Sequence, residues 1–202
     1  MGFWGYGIEE SDEALDWEQE LYQIAGIDNK AERFDPENAD VRRHLERNLG
    51  KLFDDIEQGA RLRTSAYGDA LGYQMLAVLL MRAGCAMSES ERATLRQGIV
   101  SSPEYQFAER LANESPQKRV THAAVEHAAI KLFATTGGTE GMTERLNGRR
   151  DAINTLLATL ARYPIHAGTP TDIQAEGLVD SLTLRGVVAR TKERHQPHGS
   201  KV

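Results

Sequence analysis

Ala70-Leu-Gly-Tyr-Gln-Met-Leu-Ala-Val-Leu-Leu-Met81 is the stretch that decides the fold class. It is apolar nearly all round, and Gln74 alone breaks the run with an amide. A helix with no polar face belongs inside a protein, so the spacing predicts a buried central helix over about 65–83. The stretch is too short to span a bilayer. Gly68, Ala70 and Gly72 are small enough for a neighbouring backbone to approach closely.

Working outward, the chain is punctuated by helix starts and stops. Ser11 caps a predicted helix over about 12–25, with Asp12 and Glu13 facing its positive end. Ala14, Trp17, Leu21 and Ile24 step by three and four, and Gly26 ends the element. Asp35-Pro36 reads as an N-cap followed by proline at the first helical position. Val41, Leu45, Leu49, Leu52 and Ile56 then keep helical spacing to Gly59, with Gly50 weakening the middle. Ser88 with Glu91 forms a capping box for a helix ending near Val100. Ser102-Pro103 and Ser115-Pro116 open helices of about 103–113 and 116–135. After the Gly137-Gly138 break a helix is expected over about 140–162, with Leu146, Ile153, Leu156, Leu157 and Leu160 inward. The segment 171–194 reads as a helix, with a strand at 178–188 as the alternative. Residues 192–202 are polar and expected to be a disordered tail. The fold class expected is all-α: a single globular domain, residues 1–191, of seven to eight helices around the central one.

The chain has 202 residues, 40% hydrophobic and 27% charged, with a net charge of −6. That length suits one domain with its own core. A single cysteine, Cys85, makes no internal disulfide and points to a reducing compartment. With no leader-like segment at the start, a cytoplasmic location is expected. The charge is uneven: residues 1–59 carry sixteen Asp/Glu against six Lys/Arg, and residues 60–202 carry fourteen against eighteen. An acidic first third argues against nucleic acid as partner and favours a basic protein.

The chain opens Met-Gly-Phe-Trp-Gly-Tyr-Gly-Ile-Glu-Glu-Ser-Asp-Glu-Ala-Leu-Asp. Aromatic residues between glycines are unusual for a tail and suggest a terminus that docks. This opening resembles a family of small bacterial proteins of unassigned function that begin Met-Gly-x-Trp-Gly-x-Gly and continue to Ala-Leu-Asp. Leu76-Ala-Val-Leu-Leu-Met-Arg-Ala-Gly84 followed by Met87-Ser-Glu-Ser-Glu is similar to a helical hairpin found in such proteins. Some of them resemble immunity proteins that neutralise toxins delivered between bacteria. The resemblance implies a non-enzymatic inhibitor that binds a toxin by surface complementarity.

Several constellations carry potential chemistry. His122-Ala-Ala-Val-Glu-His127 resembles a zinc helix, but the histidines are five apart, about 140° around the helix, and cannot share one ion. Asp12, Asp16 and Glu20 lie four apart on one helix face and are the candidate contacts for a basic partner. The di-iron bundle pattern needs Glu-x-x-His pairs that are missing here, so no metal and no cofactor are expected. Trp4, Tyr6 and Trp17 are either interface anchors or a plug that pins the terminus to the core. Gly137-Gly-Thr-Glu-Gly141 lacks the Lys-Ser/Thr of a phosphate loop. Arg145, Arg149, Arg150, Arg185, Arg190, Lys192 and Arg194 read as a solvated basic face without interleaved aromatics. Cys85 has no base beside it in sequence and reads as a buried, inert thiol. The function expected is that of a toxin-binding immunity protein. The alternatives are a helical enzyme or ligand binder whose pocket is assembled from distant residues, and a scaffold that forms homo-oligomers.

Overall fold

The structure is a computed structural model that describes residues 12–30, 34–58, 68–113, 138–164 and 170–171. Six α-helices and no strand occur among them: α1 (Asp12–Ile24), α2 (Ala39–Gln58), α3 (Gly68–Ala83), α4 (Glu89–Val100), α5 (Pro103–Asn113) and α6 (Gly138–Arg162). The helix expected over 116–135 and most of the 171–194 segment lie outside the described residues. So do Ser11, the Trp4–Tyr6 terminus and the histidines at 122 and 127.

The apolar stretch behaves as its composition demands. Every residue from Ala70 to Met81 is buried, Gln74 included. That stretch of α3 therefore has no solvent face, and α1, α2, α4 and α6 all pack on the helix. Helices α1 and α2 also pack on each other, as do α4 and α6, while α5 lies along α6. The periodic residues of α1 (Ala14, Trp17, Leu21) and α2 (Val41, Leu45, Leu49, Leu52, Ile56) form the other side of that core. Ile153, Leu156 and Leu160 of α6 and Leu95 and Ile99 of α4 join it. Phe107, Ala108 and Leu146 make a smaller cluster between α5 and α6.

At Gly72 the nearest approaches are made by the side chains of Trp17 and Ile56. A Cβ on Gly72 would lie 3.0 Å from Cη2 of Trp17 and 3.2 Å from Cγ1 of Ile56. On the opposite partner, Gly98 of α4 takes the ring of Tyr73 where its own side chain would be.

Helix ends follow their chemistry. Gly26 and Gly84 adopt φ of 74° and 72°. After each, paired backbone bonds close the preceding helix: Gly26 N–H to Gln23 and Ile27 N–H to Tyr22, then Gly84 N–H to Met81 and Cys85 N–H to Leu80. A left-handed residue with this bond pair satisfies carbonyls that the helix leaves over. Ser88 and Glu91 form the full reciprocal capping box, and Ser102 receives the Tyr105 N–H on its hydroxyl. Helix α2 begins three residues later than Asp35-Pro36 suggests. Asp35 instead spends its Oδ1 on the Glu37 N–H within a turn, and Asn38 caps the helix through the Asp40 N–H.

Candidate functional site

The acidic bias of the sequence becomes a spatial one. Residues 12–30 and 34–58, which build α1, α2 and their connection, hold thirteen Asp/Glu against five Lys/Arg. The other described residues hold eight of each. Helices α1 and α2 pack side by side on α3, so the charge excess of the described residues sits on α1, α2 and the connection between them, and most of it on α1.

Asp12 opens α1, Asp16 is exposed on it, and Glu20 is half-buried. The i, i+4 spacing puts Asp16 and Glu20 on one face of α1. Trp17 is not an interface anchor: it is 3% exposed and lies in the core. Its Nε1 is buried and meets no hydrogen-bond partner among the described residues. Glu18, between these positions, is held by Arg82 of α3 at 3.0 Å.

Described residues between the end of α1 and the start of α2 line a groove of about 280 Å³, among them Ile27, Asp28, Phe34, Asp35, Val41 and His44. Its described walls are tied by local contacts. His44 Nδ1 lies 3.2 Å from the carbonyl oxygen of Ala25, which only accepts, so Nδ1 carries the hydrogen. Asn48 Nδ2 donates to the same oxygen at 3.2 Å. Two side chains of α2 thus cap the C-terminus of α1. Asp28 Oδ1 accepts the Lys30 N–H, and the Phe34 ring meets Tyr22 edge-on with centroids 5.1 Å apart. Asp40 pairs with Arg43 one turn on.

A second polar corner sits where α2, α4 and α6 converge on the end of α3. The Tyr163 hydroxyl donates to the carbonyl of Cys85 at 2.9 Å. The Cys85 thiol, fully buried, lies 3.8 Å from the carbonyl of Arg42. Glu46 accepts the Ala86 N–H at 2.8 Å. Burial pushes the Cys85 thiol up to about 12, with Glu46 adding to the rise and Arg42 opposing it. Burial likewise raises Tyr163, reinforced by Cys85 and Glu46. Neither group is a nucleophile near neutral pH, because the reactive form of a thiol is the thiolate.

Arg149 departs from expectation. It is 6% exposed, and its Nη2 donates to Oε1 of Gln74 at 2.7 Å inside the molecule. It belongs to the core and not to a solvated basic face. Arg150 follows the expectation more closely, lying near Asp151 and Glu109 with partial exposure. Arg92 is a further buried cation that sequence reasoning missed, with Nε and Nη2 meeting no partner among the described residues.

No group of three or more metal-ligating side chains occurs among the described residues, and no helix among them is long and apolar enough to cross a membrane. No family model, no curated protein and no solved structure matches the chain.

Proposed function

We propose that this chain is a non-catalytic protein-binding protein that recognises a basic partner through the α1–α2 layer, and that the partner is a toxin which it inhibits in the manner of an immunity protein. The observation that carries the reading is the concentration of the acidic excess in α1, α2 and their connection, while the other described residues hold equal numbers of acidic and basic side chains. A one-signed face raises the encounter rate with an oppositely charged protein by roughly 10–1000-fold and disfavours wrong partners. Asp12, Asp16 and Glu20 are the proposed steering charges, and Trp4 and Tyr6 the proposed anchors. The resemblance of the opening residues to small bacterial proteins supports the toxin-directed form of the reading and a cytoplasmic site of action.

The test is purification of the partner on the immobilised protein, followed by stopped-flow association at two salt concentrations. Wild type should associate at least tenfold more slowly at high salt, and Asp12→Asn, Asp16→Asn, Glu20→Gln together should flatten that dependence. The dissociation rate should change little. An on-rate indifferent to both salt and the substitutions refutes the acidic face as the recognition surface.

A further inference from the structure

We infer that the groove between the end of α1 and the start of α2 is a socket for an arginine side chain projecting from the protein partner. The inference rests on the acidic-face reading and assigns the contact within it. Ile27, Phe34 and Val41 supply an apolar lining, and Asp28 and Asp35 stand exposed among them. That combination matches the two halves of arginine: a three-methylene stem that buries on apolar surface, and a flat guanidinium that pairs with carboxylates and stacks on aromatic faces. The groove volume of about 280 Å³ is on the scale of one long side chain and well short of a helix.

Charge complementarity is concentrated at Asp28 and Asp35. Asp40, the third carboxylate of the lining, is already paired with Arg43. Asp28 and Asp35 each spend one oxygen on a local backbone N–H, which leaves the other oxygen for a cation. Those local bonds also fix the carboxylates in place, so docking loses little side-chain entropy. Among the described lining residues His44 is the remaining titratable group, and its Nδ1 is engaged by the Ala25 carbonyl. The Phe34 ring is held edge-on by Tyr22, which orients it as a wall for a stacked guanidinium.

The probe is the blocked peptide acetyl-Gly-Arg-Gly-amide, with the citrulline peptide as its uncharged isostere and the lysine peptide as a point-charge control. Titration of the full chain by two-dimensional NMR should move the amides of 26–28 and 34–44 with the arginine peptide, less with lysine and negligibly with citrulline. Asp28→Asn with Asp35→Asn keeps both turn-forming oxygens and removes both charges. It should weaken the arginine peptide by at least about tenfold, on the scale of one to two charge-assisted hydrogen bonds, with an unchanged circular dichroism spectrum. Phe34→Leu should narrow the preference for arginine over lysine. Equal shifts with arginine and citrulline, or arginine shifts confined to residues outside the groove, overturn the socket. The broader reading fails separately: its readout is the salt dependence carried by Asp12, Asp16 and Glu20, which the groove substitutions leave in place.

Discussion

Replacing Gly98 by alanine tests the packing of α3 against α4 directly. On an isolated helix the change stabilises, because Ala exceeds Gly by about 1 kcal/mol in a helix interior. Here the new methyl would fall on Cγ and Cδ2 of the Tyr73 ring, at a separation no real side chain tolerates. The ring has little room to withdraw. Phe53 lies against it with centroids 6.3 Å apart, and the Tyr73 hydroxyl is tied to Glu57 at 3.4 Å. Overpacking of this kind costs roughly 1–3 kcal/mol. Two rigid elements meeting over one methyl place the cost at the upper end, so a net loss of about 1–2 kcal/mol remains after the propensity gain. For a chain of this size that is a fall of about 2–8 °C in Tm. Gly50 provides the control. It is exposed in mid-α2, with nothing within 4 Å of the position its Cβ would take. Gly50→Ala should therefore gain about 0.5–1 kcal/mol. Urea denaturation followed by circular dichroism reads both, and Tyr73→Leu should remove most of the Gly98→Ala penalty in a double-mutant cycle. If Gly98→Ala were as stable as the parent, or if both glycine changes had the same sign, the close α3–α4 contact would be wrong.

Two further outcomes follow from buried polar groups. Gln74→Leu removes an acceptor from the buried Arg149 guanidinium and should cost about 1.5–3 kcal/mol, whereas adding Arg149→Met should restore part of the loss; a larger loss in the double variant would contradict the pairing. Cys85 should resist a thiol reagent at pH 8 in the native protein and react at once in denaturant. Because its folded pKa stands above the ordinary 9.0, at about 12, its contribution to stability is complete below pH 9 and is lost as pH rises toward 12. Cys85→Ala should flatten the stability profile in that window, and an unchanged slope would refute the buried thiol.

Most of the helical framework was legible because apolar spacing and end signals agreed. The α2 stripe from Val41 to Ile56 and the Ser88–Glu91 box are both present at the residues the pattern names. The start of α2 was not legible, since Asp35 and Asn38 are both good caps and the choice depends on where the chain must enter to place Val41 on the core. The groove was not legible either. Ile27 and Phe34 become neighbours of Val41 only after α1 and α2 pair, and no spacing rule within one element brings them together. The charge bias, by contrast, survives folding because it lies in consecutive elements, α1, the connection and α2, whose helices pack on each other.

The two buried arginines show which of two signals wins when they conflict. Residue type places Arg149 and Arg92 in water. Spacing places them inside: Leu146, Arg149, Ile153, Leu156 and Leu160 form one continuous stripe at three- and four-residue steps, as do Arg92, Leu95 and Ile99. A helix cannot turn one residue away from its own stripe, so the register set by four apolar neighbours carries the arginine inward with them. The cost of burying the charge is then met by whatever acceptor the core provides. For Arg149 that acceptor is Gln74, the single amide in the apolar stretch of α3. The one amide in the apolar stretch of α3 and the cation in the α6 stripe thus meet in one hydrogen bond. A lone amide in a fully buried helical stretch requires a partner from another element. Its most direct supply is a long donor on a facing stripe, which is where Arg149 stands.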